Sequence, residues 1–313
     1  MESIPCIFGH GYSEDVVITE NGFQGRRCPK CPTIFISPRP NRCDVFDLYH
    51  HDKAHVPSSH HLGFNPGVQI AAARHFAALF AKHPFRPKKP PASMLEIGCG
   101  GGHLLKIAKA NGIAAHGVEL NSFQAQYVAQ NLGIPCETVE FTRNSFGARR
   151  FDIIFHCDVT SHLYDPIGDF TAMHEKLTDD GWLVFETGNG ADIDPKYYPY
   201  FSAWQYPDHL FFFGEDSIRE LLKKSGFSRI HISSCSILPE LALLKALRLA
   251  AHSGKKPYQP GSKERKHAPD NTNFRSRLAR TLVAYALSAV RSFVSPLCRN
   301  PKHPRTMLIW AGK

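Results

Sequence analysis

Chemistry concentrates first at 94–103, MLEIGCGGGH, where Glu96, Gly98, Gly100 and Gly102 alternate with other residues. The apolar start reads as a buried parallel strand and the glycines as a tight turn into a helix. Three missing Cβ atoms let a ligand reach the backbone. The helix that begins near His103 directs its free N–H groups to the same spot. Glu119 ends the next apolar run, AAHGVEL at 114–120. A carboxylate at such a strand end can accept both hydroxyls of a ribose.

The spacing separates two ligand classes. A dinucleotide fingerprint, G-x-G-x-x-G, needs its third glycine where His103 stands. The pattern here is E-x-G-x-G-x-G. An acid two residues ahead of the first glycine suits a ligand that carries a cation, such as the ammonium of S-adenosylmethionine.

A second constellation is of metal-ligand type. Cys6-x3-His10 precedes Cys28-Pro-Lys-Cys31, with β-prone Val16-Val17-Ile18-Thr19 between them. Two ligand pairs on two turns, joined by a hairpin, predict tetrahedral Zn²⁺ with no open position. A head with so little core would draw its folding energy from the metal. The plain alternative is three unrelated cysteines and a surface histidine. His50, His51, His55, His60 and His61 crowd the next segment without carboxylates at ligand spacing. They read as a solvated loop or as a lid over a site.

Stepping outward, strands and helices alternate after the glycine turn. Helices are expected at 103–111, 122–132, with Ser122 as its cap, and 165–177, and strands at 134–139, 151–159 and 182–187, with Asp179-Asp180-Gly181 as the turn before the last. This alternation implies a doubly wound parallel sheet with its ligand beyond the carboxyl ends of the strands. Glu119, Asp158 and Asn189 fall at such ends. A helix at 68–83 and the proline-rich connector 84–92 lead into it.

In this order and spacing the stretch 93–227 resembles the class I S-adenosylmethionine-dependent methyltransferases. EIGCGGG at 96–102, GVEL at 117–120, FDIIFHCDVTSHLYDP at 151–166, DDGWLVFETGN at 179–189 and DHLFFFGEDSIRELLKKSGF at 208–227 carry the likeness. RRCPKCPTIFISPRP at 26–40 resembles the second half of a zinc-ribbon segment carried by a group of bacterial methyltransferases. Their first half is usually Cys-x2-Cys. Here it is Cys-x3-His, so His10 and Cys43 are the candidates for the fourth ligand.

The resemblance implies an α/β fold, a mostly parallel seven-stranded Rossmann-like sheet with a small zinc-ribbon-like head, a helical C-terminal insertion and a closing antiparallel strand at 306–312. It implies S-adenosylmethionine as cofactor, held by Glu96, Gly98, Gly100, Gly102, Glu119 and Leu120, with Asp158 and Val159 near its methionine part. Glu140 is placed to reach the adenine. The reaction would be in-line displacement at a sulfonium methyl, so the protein's task is alignment and exclusion of water. A base is needed only where the acceptor must lose a proton, and His162 and His209 fit that role. Each can equally be a loop histidine bonded to a carbonyl. The aromatic run 197–206 is an acceptor wall or ordinary loop packing.

Composition sets the outer limits. A chain of 313 residues, 42% hydrophobic and 21% charged, reads as a soluble globular protein with one main domain and a small one. It has no apolar run long enough to span a bilayer and its start does not read as a secretory signal. Nine scattered cysteines point to a reducing, cytoplasmic compartment. Segments are expected at 1–40 (head), 41–92 (linker, lid and helix), 93–235 (core), 236–305 (basic insertion) and 306–313 (last strand). Much of the net charge of +9 belongs to that insertion. Its helices pack on the sheet or a dimer partner, or touch the inner face of a membrane through 238–297. The expected function is methyl transfer to a small-molecule or sugar-like acceptor, including lipid- or nucleotide-linked ones, foremost on oxygen. The rivals are an RNA methyltransferase and a non-catalytic binding protein of the same fold. The chain shows no aromatic and basic stripe of an RNA module, and its intact acids and glycines speak against a scaffold.

Overall fold

The structure is a computed structural model that describes residues 1–50, 66–80, 91–201, 203–251, 274–294, 297–298 and 300–313. The histidines at 51–61, most of the proline-rich connector and the basic loop before residue 274 lie outside the described residues.

β1 (Val16–Glu20) and β2 (Phe23–Arg27) form a hairpin. Its turn is Asn21-Gly22, both at positive φ (52° and 82°), the pairing that a twisted two-residue turn demands. β3 (Ile34–Ile36) is wholly buried and pairs antiparallel with β2. α1 (Arg42–His50) follows, with Asn41 Oδ1 accepting from the Asp44 N–H at its start. α2 (Pro66–Leu79) precedes the main sheet.

The core alternates as expected. β4 (Ser93–Ile97), α3 (His103–Ala110), β5 (Ala114–Val118), α4 (Ser122–Asn131), β6 (Cys136–Glu137), β7 (Phe151–Cys157), α5 (Pro166–Lys176) and β8 (Leu177–Gly188) come first. β9 (Phe211–Phe212), α6 (Glu215–Lys224), β10 (Arg229–Ser236), α7 (Leu238–Ala251), α8 (Phe274–Phe293) and β11 (Arg305–Gly312) complete the chain. The seven-stranded sheet has the order β10-β11-β8-β7-β4-β5-β6. It is parallel from β8 to β6, and β11 runs antiparallel between β10 and β8. Met94, Leu95, Ile154, Phe155, Leu183 and Phe185 are fully buried, as strands covered on both faces require. No helix among the described residues is long and apolar enough to cross a membrane.

Three local readings need correction. Asn121, not Ser122, caps α4: its side chain accepts from the Gln124 N–H at 3.1 Å while Ser122 is already helical. Asp179-Asp180-Gly181 is no separate turn. β8 starts at Leu177, and the register slips from Phe151 opposite Leu177 to Ile153 opposite Trp182, so the acids bulge outward to solvent. β6 keeps only two residues at the sheet edge, because Ile134 turns into the core instead.

The small sheet is completed by the core. β9 pairs with β3, Ile34 opposite Phe212 and Phe35 opposite Phe211, giving the order β1-β2-β3-β9. Phe8, Ile18, Ile34 and Phe35 share one apolar cluster with Phe170, Leu183, Phe211 and Phe213.

Candidate active site

The turn after β4 is built by conformation and by space. Gly98, Gly100 and Gly102 have φ of 68°, 52° and 69°, the region that L side chains avoid. A Cβ on Gly98 would sit 2.8 Å from Val159 Cγ2, and one on Gly102 2.9 Å from Val128 and Leu132. Glu119 ties this turn to the next strand: its carboxylate accepts from the Gly100 N–H at 2.8 Å and from the Asn121 N–H at 2.9 Å.

Three carboxylates crowd this end. Burial and then the charge of Glu119 push Glu96 well above the usual carboxylate range, and its Oε2 has no hydrogen-bond partner among the described residues. Burial raises Glu119 as well, against the pull of its backbone donors. Asp158, at a left-handed φ of 54°, is raised by burial and by Glu186. Anions held together in low dielectric favour a cationic occupant.

They line a cavity of about 890 Å³ that Gly98, Gly100, Leu120 and Val159 also face. Tyr49 of α1, His75 of α2 and Phe201, Trp204 and Phe212 form its far walls. Glu140 lines it too, but is held in an ion pair by Arg42.

His162 and His209 meet at the same cavity, their ring centroids 4.5 Å apart. His162 ends the short turn after β7, and His209 lies just ahead of β9. His162 Nδ1 is 2.9 Å from the Asp208 carbonyl, 3.2 Å from its carboxylate and 2.7 Å from the Tyr49 hydroxyl. The Tyr49 hydroxyl donates to the Asp208 carboxylate. With the proton assigned to Nδ1 by these acceptors, Nε2 is left as the basic nitrogen. Burial opposes an imidazolium here, yet the hydrogen bond and charge of Asp208 outweigh it and raise the His162 pKa. Asp208 is held near 2 despite its burial, chiefly by His162. Burial and Asp208 push Tyr49 up. Sequence reasoning missed Tyr49 and Asp208. Asp208 adjoins His209 in the chain and was open to discovery there, whereas Tyr49 carries no local signal.

The family model described as "Methyltransferase domain" matches residues 68–232, just over half of the chain. The protein belongs to the methyltransferase domain family. The ubiquinone biosynthesis O-methyltransferase of Cereibacter sphaeroides is 30% identical over 127 residues, 39% of this chain and 50% of that protein. The enzyme of the same name from Ruegeria pomeroyi is 25% identical over 157 residues, 44% and 60% of the two chains. This methyltransferase-domain chain spans about half the length of the curated relatives it matches. Among solved structures, the cyclopropane synthase MmaA2 from Mycobacterium tuberculosis superposes with a TM-score of 0.51 at 16% identity, over 88% of this chain and 99% of that one. That likeness is one of fold.

Ahead of the residues that the methyltransferase model matches, the N-terminal head carries a thiol and imidazole cluster. The ligand atoms of Cys6, His10, Cys28 and Cys31 all lie within 4.8 Å of one another. Cys6 Sγ is 3.5 Å from Cys31 Sγ and 3.6 Å from His10 Nδ1, and Cys28 Sγ is 3.4 Å from His10 Nδ1. A tetrahedron with arms of about 2.3 Å to sulfur and about 2.0 Å to nitrogen has edges of roughly 3.5–3.8 Å, so the donor set fits a zinc ion. Cys43 is exposed on α1, outside this cluster.

A second set, His75, Cys157 and Glu186, has similar spacing but another character. Glu186 accepts from Arg74 at 2.9 Å and Arg291 at 3.1 Å, and His75 lies 3.2 Å away. Burial alone would raise Glu186, yet these partners bring it down to about 2. Two guanidiniums already supply the positive charge a metal would bring, so this is an ion-pair hub joining α2 and α8 to β8.

Proposed function

We propose that this protein is an S-adenosylmethionine-dependent O-methyltransferase of small hydroxylated acceptors, with a structural zinc ion in its head. The reading rests on one observation: a single cavity joins the glycine turn and its three acids to the His162–Asp208 pair. The methyltransferase family and the names of the relatives agree with it.

When bound, S-adenosylmethionine supplies a methyl group on positively charged sulfur. Glu119 accepts the ribose hydroxyls, since each of its oxygens keeps a lone pair beyond its backbone donor. Gly98 and Gly100 leave the backbone open to the cavity, Gly102 instead makes room for Val128 and Leu132, and Leu120 and Val159 form the apolar wall. Glu96 and Asp158 hold the cationic portion, which relieves their own crowding. His162 takes the acceptor's hydroxyl proton at Nε2, with Asp208 balancing the charge that appears on the ring. His209 stands beside it as the second imidazole against the acceptor. Cys6, His10, Cys28 and Cys31 would hold zinc as a cross-link apart from the chemistry, and its closed donor set leaves no place for substrate.

Calorimetry with S-adenosylmethionine and S-adenosylhomocysteine tests the donor half. Micromolar binding is expected, weakened about tenfold or more in Glu119→Ala, the cost of one charge-assisted hydrogen bond. No binding to wild type would sink the reading in favour of a fold-only binding protein. Mass spectrometry of small-molecule extracts incubated with methyl-labelled cofactor should then reveal labelled methyl ethers; label found in RNA instead would overturn the acceptor class.

A further inference from the structure

We propose that the acceptor carries an oxyanion, a carboxylate or a phosphate, besides its hydroxyl, and that Arg305 receives it. This deepens the methyl-transfer reading and rests on it. Arg305 opens β11 and lines the cavity. Its Nε is buried without a partner, and its guanidinium makes no hydrogen bond or ion pair among the described residues. Arg27, Arg74 and Arg291 also have an unpartnered Nε, but their terminal nitrogens reach Tyr198 or Glu186. The root of the Arg305 side chain is fixed. Its N–H donates to Asn189 Oδ1 at 2.9 Å, its carbonyl accepts from the Asn189 N–H at 3.1 Å, and Ser236 pairs with it on the other side. An N–H shut away from water without an acceptor is costly and rare in native folds. A cation held at its base, with its donors unused and a cavity before it, is preorganised for an anion.

Position assigns that anion to the acceptor. In the sheet order β11-β8-β7-β4, Arg305 stands three strands from Glu96, about 14 Å at roughly 4.8 Å per strand. His162 follows β7, between the two ends. The cofactor's own carboxylate shares a carbon atom with its ammonium, so it stays at the acid end with Glu96. An acceptor anchored on Arg305 lies along the aromatic walls of Phe201, Trp204 and Phe212 and turns its hydroxyl toward His162. Arg305 is the only lysine or arginine among the described residues that line the cavity. One such cation suits one oxyanion. A nucleic-acid chain would need a row of them.

The test is calorimetry on the full chain with S-adenosylhomocysteine, titrated with benzoate, with phenyl phosphate and with benzamide as the neutral counterpart. At least one anion should bind about tenfold or more tightly than benzamide, and the tighter anion names the oxyanion. Arg305→Gln should lower that affinity about tenfold or more, through loss of a charge-assisted pair. It should melt as wild type does, since the guanidinium has no described partner in the fold, and S-adenosylhomocysteine affinity should change less than about threefold. Arg305→Lys should restore part of the anion binding, with a point charge in place of the planar fork. Three results would overturn the proposal: neither anion preferred over benzamide, anion binding by Arg305→Gln equal to wild type, or loss of S-adenosylhomocysteine binding in Arg305→Gln, which would give the arginine to the cofactor. The two readings fail separately. A wild type that binds the cofactor product but shows no preference for anions sinks this proposal alone. Anion binding by a chain that takes no S-adenosylhomocysteine sinks the methyl-transfer reading, and the acceptor assignment with it.

Discussion

Asp208 couples the two sides of the candidate site. It accepts from Tyr49 on α1, faces His162 beyond β7 and adjoins His209 in the chain. Its charge is what keeps the His162 pKa above the ordinary value in spite of burial. A base must be neutral to act, so kcat/KM should rise as pH climbs through that raised pKa and level off above it. In Asp208→Asn the opposing burial wins, the pKa falls, and the acid limb should move to lower pH. The plateau should drop by roughly 10²-fold, the usual weight of a positioned base. Cofactor affinity by calorimetry should stay as it was. An unmoved acid limb would remove Asp208 from this role. His209→Ala should slow turnover with cofactor affinity kept, and full activity would clear it. The cofactor end of this site was legible because its acids and glycines sit in one continuous motif. The Tyr49–His162 contact spans 113 residues of sequence, and no local pattern announces it.

At the scale of elements, the hairpin of the head fixes the segment that carries the second imidazole. The Glu20 carboxylate accepts from the backbone N–H groups of Trp204 at 3.0 Å and Tyr206 at 2.8 Å, and Asn21 donates to the Tyr206 carbonyl at 2.7 Å. Glu20→Ala leaves two partly buried amides without acceptors, at a cost of about 1–3 kcal/mol each. It should lower acceptor kcat/KM while S-adenosylhomocysteine binds as in wild type. Faster hydrogen exchange at 203–209 would separate this from a direct chemical role. The ion-pair hub acts on the other side of the sheet. Glu186 has a folded pKa of about 2 against an ordinary 4.5, so its stabilisation is full above 4.5 and is lost as pH falls toward 2. The gap corresponds to roughly 3 kcal/mol. Glu186→Gln should cost about that much in urea melts at neutral pH and little at pH near 2; equal losses at both would refute the linkage. Apolar runs made the parallel strands readable. β9 was not, because two phenylalanines inside an aromatic segment carry no period, and its partner β3 lies far back in the chain. The start of β8 was masked by an acidic bulge that imitates a turn.

At the scale of the whole molecule, the Cys6, His10, Cys28 and Cys31 cluster is joined through backbone pairing to the segments that carry His162 and His209. The cluster of Cys6, His10, Cys28 and Cys31 brackets β1 and β2, and the chain passes directly from it into β3. β3 pairs with β9, Ile36 N–H donates to the Leu210 carbonyl, and Leu210 N–H donates to the Ser161 carbonyl beside His162. A zinc ion in such a cluster contributes about 10–16 kcal/mol of folding free energy in small finger peptides, far more than a three-stranded head gains alone. Its removal should therefore unpair β9 and let 203–212 move, while the glycine turn after β4 and its partner Glu119 stay in place at the other side of the cavity. The protein should be purified with one zinc per chain. Chelation, or Cys28→Ser, should speed hydrogen exchange in β3 and 203–212 and abolish acceptor turnover, with S-adenosylhomocysteine binding changed less than about threefold, under 1 kcal/mol. Exchange in 203–212 that ignores the loss of metal would show the head to be an appendage, and simultaneous loss of cofactor binding would show the two ends to be one cooperative unit.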